Sequence, residues 1–319
     1  MESKRIMAVL AVILLAACLI VSITLVRVRY ITDYVPSEAI DDLVEIMARD
    51  GVMIDRDLIS DKRMSGTVYM FDSGDYTRTV AELLGGSSVR DCFVIPNGEL
   101  IVLENGSRCE FGRNFTFRYC ESATEETFSP SIVELRGYAR AREAVEDDPS
   151  VEAVRTFLDN GSRSFGERGE LDVDVTIDEL WEYDGVEYVL CSRTIDGVAI
   201  TGNLVLCTVE GERVTSAYGT WCFFTPGSSY SAQLADVLNI LFNVKKDLST
   251  YAPSQSSSKD AEESEEYVTI EAIRSCYSLY FFGEEENFCL IPCWQITTDT
   301  RGELIYNAIN GTLYTKISE

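Results

Sequence analysis

The residue types that most often carry out catalysis are sparse in this chain, because the sequence contains no histidine. That excludes Ser-His-Asp and Cys-His nucleophilic sites. A Gly-x-Ser-x-Gly motif, a phosphate-binding loop and a dinucleotide-binding fingerprint are also missing from the sequence. Glu179 and Glu182 have the residue type of a glycosidase pair, but a chain with 53 Asp and Glu contains such pairs by chance. We therefore predict no catalytic residue.

Metal-binding patterns are equally weak. The three carboxylates Asp172, Asp174 and Asp178 lack the glycine and the spacing of a calcium loop. Cys289 and Cys293 give only a weak metal signal within an apolar run. We predict no metal-ligating and no cofactor-binding residue, and we expect mostly buried free thiols rather than disulfides among the cysteines that follow Cys18: Cys92, Cys109, Cys120, Cys191, Cys207, Cys222, Cys276, Cys289 and Cys293.

The charge balance limits the partners of the protein. Lys and Arg total 27 against 53 Asp and Glu, which gives a formal net charge of −26. Such a chain repels nucleic acid and anionic lipid surfaces. We therefore expect no nucleic-acid partner.

The strongest single pattern is the uncharged apolar stretch 6–26, IMAVLAVILLAACLIVSITLV. As a helix of about 21 residues it spans roughly 31 Å, the thickness of the hydrocarbon core of a bilayer. We predict a transmembrane helix over 6–26 that follows a cytoplasmic tail, 1–5. The bulk of the chain is expected to lie outside the cell membrane in a single-pass arrangement.

Two alternatives for the N-terminus stay open. The tail and the small residues Ala16 and Ala17 allow a cleaved secretory signal. The run Leu15-Ala16-Ala17-Cys18 also matches a bacterial lipobox. We favour an uncleaved anchor because the apolar run continues past Cys18, beyond the usual length of a signal sequence. Basic residues flank both ends of the run, so the positive-inside rule discriminates weakly between orientations.

The rest of the chain predicts an α+β fold of two lobes, in which helices pack on antiparallel sheet. The first lobe, 31–128, ends in the polar stretch 121–130. Its predicted elements are a helix over 36–50, strands over 52–54 and 66–71, a helix over 75–84, a hairpin over 92–103 turned at Pro96-Asn97-Gly98, and a strand over 115–119.

The second lobe, 129–319, contains a low-apolar Ser/Glu-rich stretch, 252–266, which predicts a disordered loop. If Asp196-Gly197 is a two-residue turn, Cys191 lies opposite Gly202 and cannot pair with Cys207. Trp181 and Trp294 are interpreted as core aromatics. The other predicted elements are helices over 130–145, 149–158, 231–248 and 269–282, an antiparallel meander turned at Asp184-Gly185, Asp196-Gly197 and Glu210-Gly211, and strands over 287–298, 302–308 and 312–316.

Several short motifs near both ends resemble one family. Residues 290–296 (LIPCWQI) and 306–311 (YNAING) look like the closing segment of the YycH/YycI regulatory proteins, in which an L-x-P-x-W-x-I strand leads to a V-N-A-x-x-G hairpin. Residues 51–54 (GVMI) are similar to the G-I-x-I element of that family, and 83–86 (LLGG) also fits. The length is closer to YycI than to YycH. The stretch 252–266 departs from the family pattern.

The resemblance implies a non-enzymatic accessory membrane protein of a Gram-positive cell envelope. Members of the family sit beside the sensor histidine kinase WalK of the WalK/WalR cell-wall two-component system and modulate it through their membrane helices. The expected partners are a WalK-like kinase and a YycH-like paralogue. The family has no active-site residues to transfer. An extracytoplasmic PepSY-like module that binds a ligand or restrains a protease is the alternative; an exported hydrolase is disfavoured.

Overall fold

Helices and strands alternate irregularly along the chain, which gives an α+β fold. A computed structural model describes residues 34–62, 65–71, 76–122, 130–145, 148–162, 173–223, 227–250, 267–282 and 287–314. The tail 1–5, the predicted membrane helix 6–26 and the loop 252–266 lie outside these ranges. Among the residues within them, no helix is both long and apolar enough to cross a membrane.

The described residues form five α-helices and sixteen strands. In chain order they are α1 (Ser37–Arg49), β1 (Val52–Ile54), β2 (Ser65–Met70), α2 (Thr77–Gly85), β3 (Val89–Ile95), β4 (Gly98–Leu103), β5 (Arg108–Gly112), β6 (Thr116–Cys120), α3 (Ile132–Tyr138), β7 (Arg140–Arg142), α4 (Pro149–Ser162), β8 (Val173–Tyr183), β9 (Val186–Ile195), β10 (Val198–Glu210), β11 (Arg213–Thr220), β12 (Ser228–Gln233), α5 (Val237–Thr250), β13 (Val268–Phe282), β14 (Asn287–Thr298), β15 (Gly302–Asn307) and β16 (Leu313–Tyr314).

Two compact units divide the chain. The terminal unit combines the described chain up to Gly66 with Ser231–Arg274 and Cys293–Glu319, and the middle unit contains Thr67–Tyr230 and Ser275–Pro292. The predicted lobes 31–128 and 129–319 do not match this division. Their boundary falls inside the middle unit, where β6 pairs with β11 across it. The polar stretch 121–130 suggested a boundary between lobes, but a pairing between distant strands such as β6 and β11 cannot be read from a local stretch of sequence.

The terminal unit is built around the amphipathic helix α1. Its apolar residues recur at helical spacing, and Ile40, Leu43 and Met47 are buried along one stripe. That stripe packs into a cluster with residues of α5 and with Trp294 and Tyr306. β1 adds in parallel to the first residues of β13, as Val52 opposite Val268. The predicted helix over 36–50 and strand over 52–54 are confirmed.

The middle unit is organised by an antiparallel meander, β8 to β11. Its turns put Asp184 and Asp196 at positive φ (53° and 50°), a conformation that Asp adopts more readily than most residues, and each is followed by glycine. The predicted turns at these positions are confirmed. Alternate strand residues face opposite sides of the sheet, with α2 and α4 over one face and α3 over the other.

Four helix predictions need correction. The predicted helix 269–282 is wrong, because β13 is a strand that pairs with β1 and β10. The predicted helix 130–145 ends at Tyr138 and is followed by β7, and the predicted helix 231–248 begins only at Val237, after β12. The predicted helix 149–158 instead continues through Gly161 to Ser162. In the first three cases strand pairing overrides the local helical pattern, whereas α4 only extends further than predicted.

The register of the β9–β10 pair also differs from the prediction. Cys191 lies opposite Val205 rather than Gly202, because an irregularity between Ala199 and Leu204 shifts the pairing. At this point Ile200 and Thr201 of β10 pair in parallel with β13, and the following Gly202 has φ of 80°.

Candidate functional site

A groove with a cavity volume of about 620 Å³ lies in the middle unit. Helix α4 forms one side and the first half of β8 forms the other. We call it the α4–β8 groove, defined by the residues that line it: Ala144, Val145, Val151, Arg155, Asp159, Asp174, Val175, Thr176, Ile177, Thr194 and Gly197. Because Asp174 to Ile177 are consecutive residues, whose side chains alternate between the two faces of a strand, the groove runs along a strand edge.

Among the described strands, β7 covers only one end of the edge of β8. β7 pairs with Leu180, Trp181 and Glu182 only. Within the described part of the chain, residues 174–177 of β8 pair with β9 and with no second strand.

Charged contacts fix the point at which the chain leaves this edge. Arg142, the last residue of β7, forms ion pairs with Asp148, at 2.8 Å, and with Glu187. The Asp148 carboxylate also accepts a hydrogen bond from the backbone N–H of Ser150 at 3.0 Å, in the first turn of α4. One carboxylate therefore links the end of β7 to the start of α4.

Helix α4 presents a stripe of changing polarity to the groove. Val151, Arg155 and Asp159 are spaced by four residues and therefore lie on one helix face. Val151 is buried, whereas Arg155 and Asp159 are half-buried. The stripe thus carries an apolar residue at one end and two opposite charges toward the other.

A buried guanidinium lies behind the groove. Arg193 of β9 is directly opposite Val175 and is only 3% exposed. Burial lowers the pKa of Arg193, while the Cys222 side chain and the charge of Asp159 act in the opposite direction. Cys222 itself is held by its backbone N–H, which donates to Asn203 Oδ1 at 2.7 Å. The Asp159 carboxylate of the groove therefore lies in the field of a second, hidden cation.

The cysteines are free thiols, as predicted, in all nine described positions, and seven of them are buried. Burial raises the pKa of the Cys109 thiol to about 12. The neighbouring Cys207 and burial together raise that of Cys191 well above its usual value. Such thiols stay protonated at neutral pH and are poor nucleophiles. Cys289 and Cys293 are buried in β14, and the described residues contain no cluster of metal-ligating side chains.

The acidic residues singled out in the sequence go to separate places. Glu179 forms an ion pair with Arg136, and Glu182 lies 3.9 Å from Arg140. Asp172 lies outside the described residues, Asp174 lines the α4–β8 groove, and Asp178 accepts a hydrogen bond from Ser192.

Burial raises the pKa of Asp178. The predicted core aromatics are confirmed, since Trp181 is 2% and Trp294 8% exposed. Sequence reasoning missed Arg155 and Asp159, whose spacing of four residues on a helix was the available signal.

The motif residues of the C-terminal segment form a well-supported hairpin in the terminal unit. Trp294 pairs with Tyr306 across β14 and β15. The buried Tyr306 hydroxyl donates to Asp247 Oδ2 of α5 at 2.9 Å, and Asn243 of α5 donates to the Gly311 carbonyl at 2.7 Å. Helix α5 therefore holds both the strand and the turn of this hairpin.

Comparison with other proteins gives little. The chain matches no family model, and no curated protein matches it in sequence. Among solved structures it is similar to an uncharacterized protein from Eubacterium rectale, with 10% identity, a TM-score of 0.39, and coverage of 82% of this chain and 89% of that one. A likeness at that score supports no inference about function.

Proposed function

We propose that this protein is a non-enzymatic, membrane-anchored regulator of a sensor histidine kinase of the cell envelope. In this proposal 6–26 is the membrane helix, the N-terminal tail is cytoplasmic, and both units lie outside the membrane with a YycI/PepSY-like architecture. Regulation occurs by contact with a WalK-like kinase, and with a YycH-like paralogue, through the membrane helix and the extracytoplasmic units.

One observation carries the proposal. The two separated stretches that resemble the YycH/YycI proteins pack against each other in the terminal unit. Val52 and Ile54 from the first stretch share a buried cluster with Trp294, Ile296 and Tyr306 from the second. The two motifs are more than 200 residues apart in the chain, yet they contribute to one core. This supports the resemblance more strongly than motifs that lie in separate parts of the fold would.

The position of this core supports a role for the membrane helix. The first described residue of the terminal unit, Tyr34, follows the apolar stretch 6–26 by only a few residues and bridges to Lys62. Helix α1 starts at Ser37 and is buried along its whole inner stripe. A displacement of the membrane helix along its axis would therefore reach a packed core through a short connection.

The proposal is tested by co-purification of the tagged full chain with the sensor kinase from membranes. Replacing 6–26 with an unrelated membrane helix of equal length should abolish the association with the kinase. Conservative substitutions of exposed loop residues, made as a control, should leave the association intact. Protease treatment of spheroplasts should digest the chain beyond the anchor. A protected chain, or kinase association that survives the helix replacement, refutes this mode of regulation; the second result favours a PepSY-like module acting through its extracytoplasmic part.

A further inference from the structure

Asn-Gly pairs occur at four places in the chain, because Asn97, Asn105, Asn160 and Asn310 each precede a glycine. Glycine has no Cβ, so its backbone nitrogen can reach the side chain of the Asn in front of it. Such an attack converts the Asn amide into a carboxylate, a spontaneous modification called deamidation. We propose that Asn97, at the tip of the β3–β4 hairpin, is the position at which the folded protein deamidates, and that the main product opens this hairpin.

The reaction needs only Asn97, Gly98 and water. The backbone nitrogen of Gly98 bonds to the side-chain carbonyl carbon of Asn97, which closes a five-membered imide. The bond between that carbon and Asn97 Nδ2 breaks, and Nδ2 leaves as ammonia with the proton of the Gly98 amide. Water then opens the imide at one of its two carbonyls. Opening at the side-chain carbonyl gives aspartate, and opening at the backbone carbonyl gives isoaspartate, the main product.

The hairpin leaves the Asn97 side chain accessible. Asn97 is exposed in a two-residue turn, which the pair of Ile95 and Gly98 closes. Among the described residues its hydrogen bonds come from the backbone alone, where its carbonyl oxygen accepts from the N–H of Arg113 at 3.0 Å. That bond polarises the peptide group that Asn97 shares with Gly98 and makes the Gly98 N–H more acidic. Loss of this proton accompanies the attack, so the contact assists the reaction.

Two other exposed Asn residues have side chains that are held in place. Asn105 Nδ2 donates to the Gly85 carbonyl at 2.9 Å, and its Oδ1 accepts from the backbone N–H of Ser107 at 3.1 Å. Asn310 Oδ1 accepts from the backbone N–H and from the hydroxyl of Thr312, at 3.0 and 2.7 Å. Both are local turns fixed by the Asn side chain. These bonds must break before either side chain can turn toward the nitrogen of its glycine.

The fourth Asn is protected by a helix. Asn160 and Gly161 both lie within α4. In an α-helix the Cα–Cβ bond tilts toward the N-terminus, so the side chain of Asn160 points away from the nitrogen of the residue that follows it. Of the four pairs, only the one at Asn97 thus combines an exposed turn with a side chain that no described group holds.

The tight packing of this turn makes the isoaspartate product disruptive. Isoaspartate adds one methylene to the main chain, and a two-residue turn has no slack to absorb it. Gly98 is also paired with Gly112 of β5, so closely that a Cβ on Gly98 would overlap the carbonyl oxygen of Phe111. We therefore expect the isoaspartate form to lose the pairing at the tip of the hairpin. Aspartate adds a charge but leaves the main chain unchanged.

The experiment compares deamidation in the folded and the unfolded full chain at about pH 8 and 37 °C. Peptide mass spectrometry follows the gain of about 1 Da at each Asn. In guanidinium chloride the four sites share the same following residue and should react within threefold of one another. In the folded protein Asn97 should react at least tenfold faster than the other three. Asn97→Gln should remove most of the modification, whereas Asn105→Gln, the matched control, should leave its total rate unchanged.

A second measurement tests the effect on the hairpin. The isoaspartate form is separated by anion exchange and compared with Asn97→Asp, which carries the same added charge without the added methylene. Hydrogen exchange of the amides at the tip of β3 and β4 should be at least tenfold faster in the isoaspartate form, and within twofold of the unmodified protein in Asn97→Asp.

Three results would overturn the proposal. The first is a folded protein in which Asn105, Asn160 or Asn310 reacts as fast as Asn97. The second is an Asn97 that stays unmodified in the folded chain while the unfolded chain reacts. The third is equal hydrogen exchange in the isoaspartate form and in Asn97→Asp. None of these measurements involves a membrane helix or a kinase, so the outcome is independent of the proposed function.

Discussion

Gly161 offers a quantitative test of how α4 packs on the sheet of the middle unit. It lies in the last turn of the helix, and an added Cβ would stand 2.6 Å from Phe223 Cε1 and 2.9 Å from Leu84 Cδ2. Ordinary van der Waals contact begins near 3.4 Å. The Gly161→Ala variant must therefore open these contacts by about 0.5 to 0.8 Å, a range that follows from the two distances.

The Phe223 ring cannot retreat easily. It is 1% exposed and lies edge-on to Phe117, with centroids 5.1 Å apart, and to Phe111, at 6.5 Å. Overpacking of such a core costs about 1–3 kcal/mol. Replacing glycine by alanine in a helix returns at most about 1 kcal/mol, and less in a last turn. We expect Gly161→Ala to lower the unfolding free energy by about 1–2 kcal/mol.

Gly137 is the matched control, because it also lies in a helix but an added Cβ there meets nothing within 4 Å. Gly137→Ala should leave stability unchanged or raise it by up to about 1 kcal/mol. The assay is urea unfolding followed by tryptophan fluorescence in a Trp294→Phe background, where the remaining Trp181 and Trp221 both report on the middle unit. Equal effects of the two alanine substitutions would refute the packing argument.

Three other predictions concern single contacts. Tyr306→Phe removes the bond to Asp247 and should cost about 1–2 kcal/mol in urea unfolding, whereas an unchanged midpoint would contradict it. Burial raises the pKa of the Cys109 thiol from 9.0 to about 12, so its stabilising contribution is complete below pH 9 and is lost as the pH rises toward 12. Cys109→Val should therefore remove up to about 1.4 kcal/mol per pH unit of that alkaline loss of stability, as measured by unfolding at pH 8 to 11, and an unchanged pH dependence would contradict it. Ser131→Ala removes the side-chain acceptor of the capping box at the start of α3. The protection of the α3 amides against hydrogen exchange should fall by about 1 kcal/mol, and the amides of the other helices should not change.

Local chemistry explains which elements could be predicted. Asp184 and Asp196 lie at positive φ just before a glycine, and few other sequences satisfy that requirement, so the meander turns could be read directly. The stripe of α1 was equally clear, because Ile40, Leu43 and Met47 are both apolar and correctly spaced. Such features depend only on neighbours in the sequence.

Elements that depend on distant partners were missed. β13 contains apolar residues at spacings of three and four, which match a helix, yet its aromatic and β-branched content also suits a strand. The strand is fixed by its neighbour β14 and by the parallel partners β1 and β10, whose paired residues lie more than 70 positions away in the chain. The predicted register of Cys191 was wrong for a related reason. The stretch of β10 around Gly202 does not pair regularly with β9, and Ile200 and Thr201 pair with β13 instead.

The α4–β8 groove could not be predicted because it lies where 174–177 of β8 have no second neighbour among the described strands. Arg142 ends β7 by forming ion pairs with Asp148 and Glu187, and β8 then continues for several residues without a second neighbour among the described strands. A sequence pattern identifies residues that form a strand, but it carries no signal for an edge that stays open. A long strand is usually covered or blunted along its length, because an exposed edge invites aggregation. Among the described residues, β8 lies here beside a helix stripe that carries Arg155 and Asp159, so the polarity of the groove comes from α4 and not from a second strand.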